Sequence, residues 1–280
     1  MTTLRRIDAH LHLWDLSVSE YSWLGPQFGP LFADWSAEQA GPELRRAGMD
    51  GAILVQAEDS LVDTRFMLDN ADTHDWVFGV VGWVQLDSTV AAHRDLDVWS
   101  QHPKFRGIRH LLNDDPRDEF LDLPEVRASL AEVARRGLVF DVHDAWPRHL
   151  DRASRVAADL PELTVVLDHL AKPPRGRDDF PAWRSSLARF AALPNTIGKL
   201  SALHSPDAPF TVDALRQTFD AALAAFGADR LMYGGDWPMT IPHGGYQPNW
   251  HVMRSLLAEL SQSEQNAILG STASRVYGIR

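Results

Sequence analysis

The sequence contains no cysteine and no long run of apolar residues. Without cysteine there can be no disulfide bonds, thiolate nucleophiles, zinc fingers or iron–sulfur clusters. A membrane span needs roughly 18 consecutive apolar residues, and no segment comes close to that length. Basic runs are also short, since none exceeds two residues, and the formal net charge is −11. Nucleic acid and membranes are therefore not expected as partners, and a small-molecule substrate is.

The start of the chain lacks the apolar stretch of a secretory signal peptide, so the cytoplasm is the expected location. The 280 residues contain no linker and no low-complexity segment. Single α/β barrels run to about 250 residues, so the length favours one domain. We expect that domain to span residues 1–280. The sequence leaves a homo-oligomer open.

Short apolar runs alternate with longer amphipathic stretches along the whole chain. Most of these runs are almost continuously apolar, which is typical of parallel strands buried on both faces. Alternating strands and helices indicate an α/β fold with a parallel sheet, and eight strands allow that sheet to close into a barrel. The predicted strands are Arg6–Leu13, Gly51–Gln56, Val77–Val84, Phe105–His110, Leu138–His143, Leu163–His169, Thr196–Ser201 and Arg230–Asp236.

Helix signals fill the stretches between the strands. Ser36 and Ser261 each open a segment with the spacing of a capping box, although Gly41-Pro42 could shorten the first helix. One long irregular stretch, Trp14–Asp34, follows the first predicted strand. It should lie over the C-terminal face of the barrel, where the active sites of such barrels are built.

The sharpest local motif is His10-Leu11-His12 at the end of the first strand. Residues i and i+2 of a strand point to the same side, so both imidazoles should face the barrel interior. That spacing suits one metal ion or one substrate oxygen. Two structural histidines would have the same spacing, so the motif alone leaves both readings open.

Two more strand ends carry ionisable residues, His169 on the sixth strand and Asp236 on the eighth. The C-terminal ends of barrel strands meet at one face, so these groups should converge on His10 and His12. An aspartate beside imidazoles can hold and deprotonate a water, and a metal would lower that water's pKa. Without a cysteine or a Gly-x-Ser-x-Gly motif, direct attack by water is favoured over a covalent intermediate.

We therefore predict Asp236, His169, His10 and His12 as catalytic residues. Gly234 and Gly235 before the aspartate are expected to leave room for a substrate.

Further polar and aromatic residues close other strands and are candidates for substrate binding. The Arg109 guanidinium could donate hydrogen bonds to a carboxylate or carbonyl oxygen of the substrate, or it could pair with a neighbouring acid. Lys199 lies in a buried strand, so it is either functional or paired. The predicted substrate-binding residues are Arg109, Gln56, Trp83, Asp141, His143 and Lys199. His204 is expected in an exposed loop and His149 on the surface.

With these residues, the chain resembles the lactonase branch of the amidohydrolase superfamily. The resemblance runs nearly end to end, and its most specific elements are Asp168-His-x-x-Lys172-Pro and Asp236-Trp-Pro. The other matching segments are Ile7–His12, Tyr21–Leu24, Val80–Val84, Phe105–His110, Lys199–Ser201 and Thr272–Gly278. The resemblance implies a (β/α)8, TIM-type barrel of the amidohydrolase kind.

The resemblance also implies roles for single residues. Asp236 would be the general base, Arg109 would help to hold the substrate, and the three histidines would bind the substrate carbonyl or a metal. Some metal ligands of other superfamily members are missing here, and the lactonase branch includes members that work without a metal. One zinc-like divalent metal on His10, His12 and Asp236 is therefore an option that the reaction does not strictly require.

These observations predict a hydrolase of carboxylic ester bonds that opens a small lactone by means of Asp-activated water. A dicarboxylate substrate should need several arginines at strand ends, and only Arg109 can be placed there. A sugar (aldono-) lactone is therefore favoured, which suggests a role in carbohydrate metabolism. Two alternatives stay open: a metal-dependent nonoxidative decarboxylase of the same superfamily, and a non-catalytic barrel that binds a small molecule.

Overall fold

A sheet of eight parallel strands forms the centre of the computed structural model, which describes residues 4–279. Each strand pairs with the next strand along the chain. The strands are β1 Ile7–Leu11, β2 Gly51–Val55, β3 Val77–Gly82, β4 Phe105–His110, β5 Val139–Val142, β6 Thr164–Leu167, β7 Thr196–Leu200 and β8 Leu231–Tyr233. Every one lies within its predicted range, and the predicted barrel is confirmed.

The barrel closes just beyond the end of β8. The backbone N–H of Asp236 donates to the carbonyl of His10 at 2.8 Å, and that of His12 donates to the carbonyl of Trp237 at 2.8 Å. These two bonds join the first and last strands at the C-terminal end of the barrel. They also hold the His-x-His motif beside the aspartate that follows β8.

Helices follow the strands and cover the outside of the barrel. The main helices are α1 Ala37–Ala47, α2 Leu61–Thr73, α3 Thr89–Trp99, α4 Pro124–Arg135, α5 Leu150–Asp159, α6 Phe180–Ala191, α7 Val212–Phe226 and α8 Tyr246–Leu257. Two short helices end the chain, α9 Gln262–Asn266 and α10 Thr272–Val276, joined by a π-helical turn.

The predicted capping boxes are present in the structure. The backbone N–H of Ser36 donates to the Gln39 side chain at 2.7 Å, and α1 continues through Gly41 and Pro42. At α9 the backbone N–H of Ser261 donates to Glu264 at 2.9 Å.

Apolar side chains form three buried clusters, the smallest of which consists of Trp14, Tyr21, Leu24, Leu31 and Ala57. The largest cluster lies between the sheet and the surrounding helices, and the second fills the N-terminal end of the barrel. Tyr277 and Ala273 from the C-terminal segment close that second cluster. Within the described range, no helix is long and apolar enough to cross a membrane. Residues 1–3 and 280 of the expected domain lie outside that range.

Candidate active site

His10 and His12 lie side by side at the end of β1, both buried. Their Nε2 atoms are 3.1 Å apart. The Nδ1 of His12 is 2.7 Å from the carbonyl oxygen of Val55, which can only accept a hydrogen bond. His12 therefore carries its hydrogen on Nδ1 when neutral, and its Nε2 lone pair points at His10 and the pocket.

Asp236 follows β8 and points its carboxylate at the same two imidazoles. Its Oδ1 lies 3.3 Å from Nε2 of His12 and 3.7 Å from Nε2 of His10. This oxygen is buried and makes no well-oriented hydrogen bond within residues 4–279. Burial alone would raise the pKa of Asp236, but His169, His12 and His10 together hold it well below its usual range. The carboxylate is therefore ionised and has a free lone pair.

Asp8 fixes the turn that carries Asp236. Its Oδ1 accepts from the backbone N–H groups of His10 at 3.0 Å and Gly235 at 2.8 Å, and its Oδ2 accepts from the Tyr246 hydroxyl at 2.7 Å. Burial raises the pKa of Asp8 to about 6. The carboxyl thus ties the end of β1, the turn after β8 and helix α8 together.

The two glycines before Asp236 make room for the protein rather than for a substrate, contrary to expectation. A Cβ on Gly234 would lie 2.6 Å from the Cβ of His10. A Cβ on Gly235 would lie 2.4 Å from the Tyr246 ring and 2.5 Å from the Asp8 carboxylate. Close packing around the turn therefore requires glycine at both positions.

His169 lies beside this group at the end of β6, with its ring 4.5 Å from that of His10. Its Nδ1 is 2.8 Å from the Ser201 hydroxyl. Burial lowers the pKa of His169 to about 4, so the imidazole is neutral near pH 7. A neutral ring fixed at Nδ1 by Ser201 presents Nε2 to the pocket.

Arg109 reaches the site from β4 and is almost fully buried. Its Nη1 lies 3.2 Å from an Asp168 oxygen and 3.4 Å from Nε2 of His10. Its Nη2 donates to the backbone carbonyl of Gln56. The guanidinium pairs with an acid, as one of the two interpretations expected, and it also lines the pocket.

Four predicted substrate-binding residues do not contact the pocket directly. Asp141 and Lys199 form an ion pair inside the barrel, beneath the histidines. The Gln56 side chain donates to Asp59 at 2.9 Å, and Trp83 donates to His110 at 3.4 Å.

The pocket itself is a cavity of about 260 Å³. That volume lies near the lower end for small-molecule sites, which run from roughly 300 to 1,000 Å³. Trp14, Trp23 and Phe28 form an aromatic wall, and other lining residues carry charged and polar groups. The lining residues are His12, Trp14, Trp23, Phe28, Ala57, Arg109, Leu111, Asn113, Asp114, His143, Asp144, His169, Lys172, Asp236 and Met239.

Several of these lining residues were not singled out from the sequence. Trp14, Trp23 and Phe28 belong to the irregular stretch after β1, whose position over this face was expected. Asp144 comes directly after the predicted residue His143, and Lys172 comes three positions after His169 and is part of the Asp-His-x-x-Lys-Pro motif. The presence of tryptophan and phenylalanine in that stretch was the available signal for the aromatic wall.

Two histidines lie elsewhere than expected. His149 is fully buried, not on the surface. His204 is partly buried between the rings of Phe210 and His243, at 4.0 and 3.9 Å between centroids. Ring stacking of this kind has no signature in the local sequence.

The donor set of His10, His12 and Asp236 fits one divalent metal. Their three nearest ligand atoms are separated by 3.1, 3.3 and 3.7 Å. Such separations suit donors that each lie about 2 Å from one tetrahedral zinc-like ion. The buried Asp236 Oδ1, which has no well-oriented hydrogen bond among the described residues, also suits a ligand atom.

Comparison with known proteins gives consistent matches. The family model described as Amidohydrolase matches residues 7–279. An L-fucono-1,5-lactonase from Burkholderia ambifaria is 36% identical over 237 residues, which cover 84% of this chain and 81% of that protein. An L-fucono-1,5-lactonase from Burkholderia multivorans is 32% identical over 288 residues, covering 98% and 96%.

The solved structures agree. An amidohydrolase from Burkholderia multivorans, crystallised with bound zinc, is similar with a TM-score of 0.88 and 30% identity. The match covers 99% of this chain and 100% of that chain.

Proposed function

This chain belongs to the amidohydrolase superfamily, in its lactonase branch, and from this membership we propose that it opens a small sugar lactone by hydrolysis. The observation that carries the proposal is the carboxylate of Asp236, ionised and free on Oδ1, beside two imidazoles at the pocket. The enzyme is a hydrolase of carboxylic ester bonds, and its product is a hydroxy acid.

Asp236 is the general base of this reaction. Its Oδ1 takes a proton from a water molecule in the pocket, since the carboxylate is ionised and has no competing well-oriented hydrogen bond in the described chain. The water oxygen forms a bond to the lactone carbonyl carbon, and the π electrons of the carbonyl move onto its oxygen. The result is a tetrahedral intermediate with a negatively charged oxygen.

His169 and Arg109 stabilise that oxygen. When Nδ1 of His169 accepts a hydrogen bond from the Ser201 hydroxyl, which lies 2.8 Å away, the neutral ring carries its hydrogen on Nε2. This N–H can donate a hydrogen bond to the oxygen of the intermediate. The Arg109 guanidinium adds positive charge from β4. Donors fixed before the reaction in a buried site stabilise developing charge more than water does.

Collapse of the intermediate breaks the bond between the carbonyl carbon and the ring oxygen. The proton held on Asp236 passes to that ring oxygen, which leaves as a hydroxyl group. The carboxylate is thereby restored, and no bond between enzyme and substrate forms at any stage.

The metal-fitting donors, His10, His12 and Asp236, would hold one zinc-like divalent ion. Such an ion lowers the pKa of a bound water and polarises a carbonyl. Arg109 already places a positive charge 3.4 Å from the His10 ring. We therefore propose that the ion assists the reaction without being strictly required.

The pocket walls favour a sugar lactone over a dicarboxylate. The two cations that line the cavity, Arg109 and Lys172, each face a carboxylate of the protein, Asp168 and Asp144. A substrate with two carboxylates would meet those acids without a free cation to balance its charge. A neutral ring with hydroxyl groups suits the polar wall, and its apolar face suits the aromatic wall.

The test is a screen of the purified protein against five- and six-membered aldonolactones, with a pH indicator reporting the acid released. We expect turnover of at least one sugar lactone, with the hydroxy acid identified as product. The same assay in chelator should show reduced but persistent turnover. Binding without turnover would favour the non-catalytic barrel, and release of carbon dioxide from aromatic acids would favour the decarboxylase.

A further inference from the structure

One wall of the pocket carries charged groups that the hydrolysis above does not use. His143 and Asp144 follow β5, and Lys172 follows β6. The Lys172 Nζ is 3.7 Å from Oδ2 of Asp144, and Nε2 of His143 is 3.6 Å from the same oxygen. All three side chains line the cavity.

Two polar atoms of this wall have no partner. Oδ1 of Asp144 and Nδ1 of His143 are buried and make no hydrogen bond to any part of residues 4–279. Buried polar atoms in native proteins are almost always hydrogen-bonded, so two unsatisfied atoms on residues that line a pocket point to a ligand. Burial would raise the pKa of Asp144, but His143, Lys172 and His169 hold it below its usual value, so this carboxylate is an acceptor.

The backbone beneath the wall is strained. Asp144 has a φ of 35°, and four successive residues, His169 to Lys172, have φ of 56°, 51°, 63° and 62°. Left-handed conformations of non-glycine residues cost free energy and are concentrated at functional sites. The Trp183 side chain holds the turn by donating to the carbonyl of Leu170 at 2.8 Å. This turn brings His169 and Lys172 to the same cavity.

We infer that Asp144 and Lys172 are specificity-determining residues that together recognise a hydroxyl group on the substrate ring. A hydroxyl group is both a donor and an acceptor, so it can donate to the Asp144 carboxylate and accept from the Lys172 ammonium. Hydrogen bonds to charged partners are stronger than those between neutral groups. This pair would therefore bind a ring that carries the hydroxyl group in preference to a ring that lacks it. The inference rests on the proposed function and restricts it to polyhydroxylated lactones.

The charge of the wall supports a neutral hydroxyl group over other ligands. The Asp144 carboxylate would repel a substrate carboxylate, and the Lys172 ammonium would repel a cation. His169 lies between this wall and the catalytic aspartate, with its ring 4.5 Å from His10 and 6.2 Å from His143. The proposed hydroxyl site and the proposed general base therefore lie on either side of one histidine ring.

The experiment compares two substrates in two variants. Asp144→Asn and Lys172→Met are assayed on the best sugar lactone from the screen and on δ-valerolactone, which lacks hydroxyl groups. We expect kcat/KM for the sugar lactone to fall about 10- to 100-fold in each variant, the effect of one hydrogen bond to a charged group. For δ-valerolactone the change should stay below about threefold. The control, Arg177→Met, removes a cation from an exposed ion pair with Asp179 in the same loop.

A second measurement separates this inference from the proposed function. Calorimetry compares a polyhydroxylated δ-lactam, which resists hydrolysis, with unsubstituted δ-valerolactam in the same variants. Selective loss of affinity for the hydroxylated lactam supports the wall as a hydroxyl site even where no lactone is turned over. Equal losses for both rings, or no loss for the hydroxylated ring, would overturn the inference.

The two substitutions could also change turnover indirectly, by changing the pKa of His169, and the pH profiles distinguish this effect from lost hydroxyl recognition. Asp144 raises the pKa of His169 and Lys172 lowers it. An effect through His169 would shift the pH profiles of the two variants in opposite directions. Lost hydroxyl recognition lowers kcat/KM for the sugar lactone in both variants even at pH 7 to 8, where His169, with a pKa of about 4, is neutral.

Discussion

At the scale of single residues, Asp236 combines an exceptional conformation with an exceptional environment. Its φ of 51° is left-handed, and its backbone is fixed by the bond to the His10 carbonyl that closes the barrel. Neighbouring histidines hold its pKa well below the usual range despite burial. A carboxylate with so low a pKa is ionised throughout the physiological range. A carboxylate with a low pKa is a weak base, so the proposed role of Asp236 as general base depends on the position of its Oδ1 at the pocket.

Replacing Asp236 by asparagine tests this role. Asparagine keeps the shape and tolerates the left-handed backbone, but it cannot accept the proton. We expect turnover to fall by at least about 100-fold, the lower range for general-base catalysis, with little change in melting temperature. Steady-state kinetics and thermal unfolding measure both quantities. The control is Asp118→Asn, which removes a negative charge from an exposed ion pair with Arg148.

If Asp236→Asn kept more than roughly a tenth of the wild-type turnover, the assignment of the general base would be wrong.

Strand-end position made most of this site predictable. His10, His12, His169 and Asp236 lie at or just beyond the ends of strands, so the barrel topology alone predicts that they meet. The strained wall of Asp144 and Lys172 was not predicted, because left-handed turns of ordinary residues leave no mark in hydrophobic periodicity. The packing of Tyr246 beside Gly235 could not be predicted from the sequence either, because Tyr246 lies in a helix eleven positions later.

At the scale of elements, the segment between β1 and α1 is held in place by side-chain bonds to the segment after β2. The Trp23 indole donates to the carbonyl of Ala57 at 2.6 Å. The Tyr21 hydroxyl donates to the buried carboxyl of Asp63 at 3.0 Å. These bonds hold the aromatic wall of the pocket against the segment after β2.

Tyr21→Phe should loosen this loop in a pH-dependent way. Burial raises the pKa of Asp63 to about 7, and the Tyr21 hydroxyl is one of the groups that oppose this rise. A folded pKa above the unfolded value of roughly 4 means that Asp63 costs stability as pH rises towards 7. The variant should therefore lose about 0.5–1.5 kcal/mol at pH 5 and about 1.5–3 kcal/mol at pH 8.

Urea denaturation at both pH values measures this loss, and KM for the lactone should rise with little change in kcat. Ser22→Ala is the control, because it removes a bond from the same loop to Glu58 at the exposed surface. A stability loss of equal size at pH 5 and pH 8 would contradict the role assigned to Asp63.

At the scale of the whole molecule, a column of polar and charged groups runs through the barrel interior. From the N-terminal end upward it consists of Tyr277, Asp141, Lys199, Asp168 and His10. The Tyr277 hydroxyl lies 3.3 Å from an Asp141 oxygen, and Lys199 Nζ lies 3.0 Å from Asp168 and 3.2 Å from His10. Barrel interiors are commonly filled by layers of apolar side chains, so this column is a departure from that pattern.

The barrel could be predicted from the apolar runs, but this column could not. Each member lies in or directly after an ordinary-looking strand or helix, and the pairing joins residues from five separate segments of the chain. The sequence indicated only that Lys199 must be functional or paired. The structure shows Lys199 fully buried between the carboxylates of Asp141 and Asp168. With Arg109, which pairs with Asp168, the two positive charges balance the two negative ones.

This balance gives the column a testable effect on stability. Lys199→Met leaves the carboxylates of Asp141 and Asp168 buried with only Arg109 to offset them, and removal of one partner from a buried ion pair costs about 3–5 kcal/mol. Adding Asp141→Asn removes one of the two negative charges, so the double variant should regain a large part of that loss. Burial already raises the pKa of Asp141 to about 6, above its unfolded value, so the loss in Lys199→Met should grow as pH rises from 5 to 8. Urea denaturation of the wild type, both single variants and the double variant measures the coupling between the two positions. If the double variant were as unstable as Lys199→Met alone, charge balance would not be what holds the interior of this barrel together.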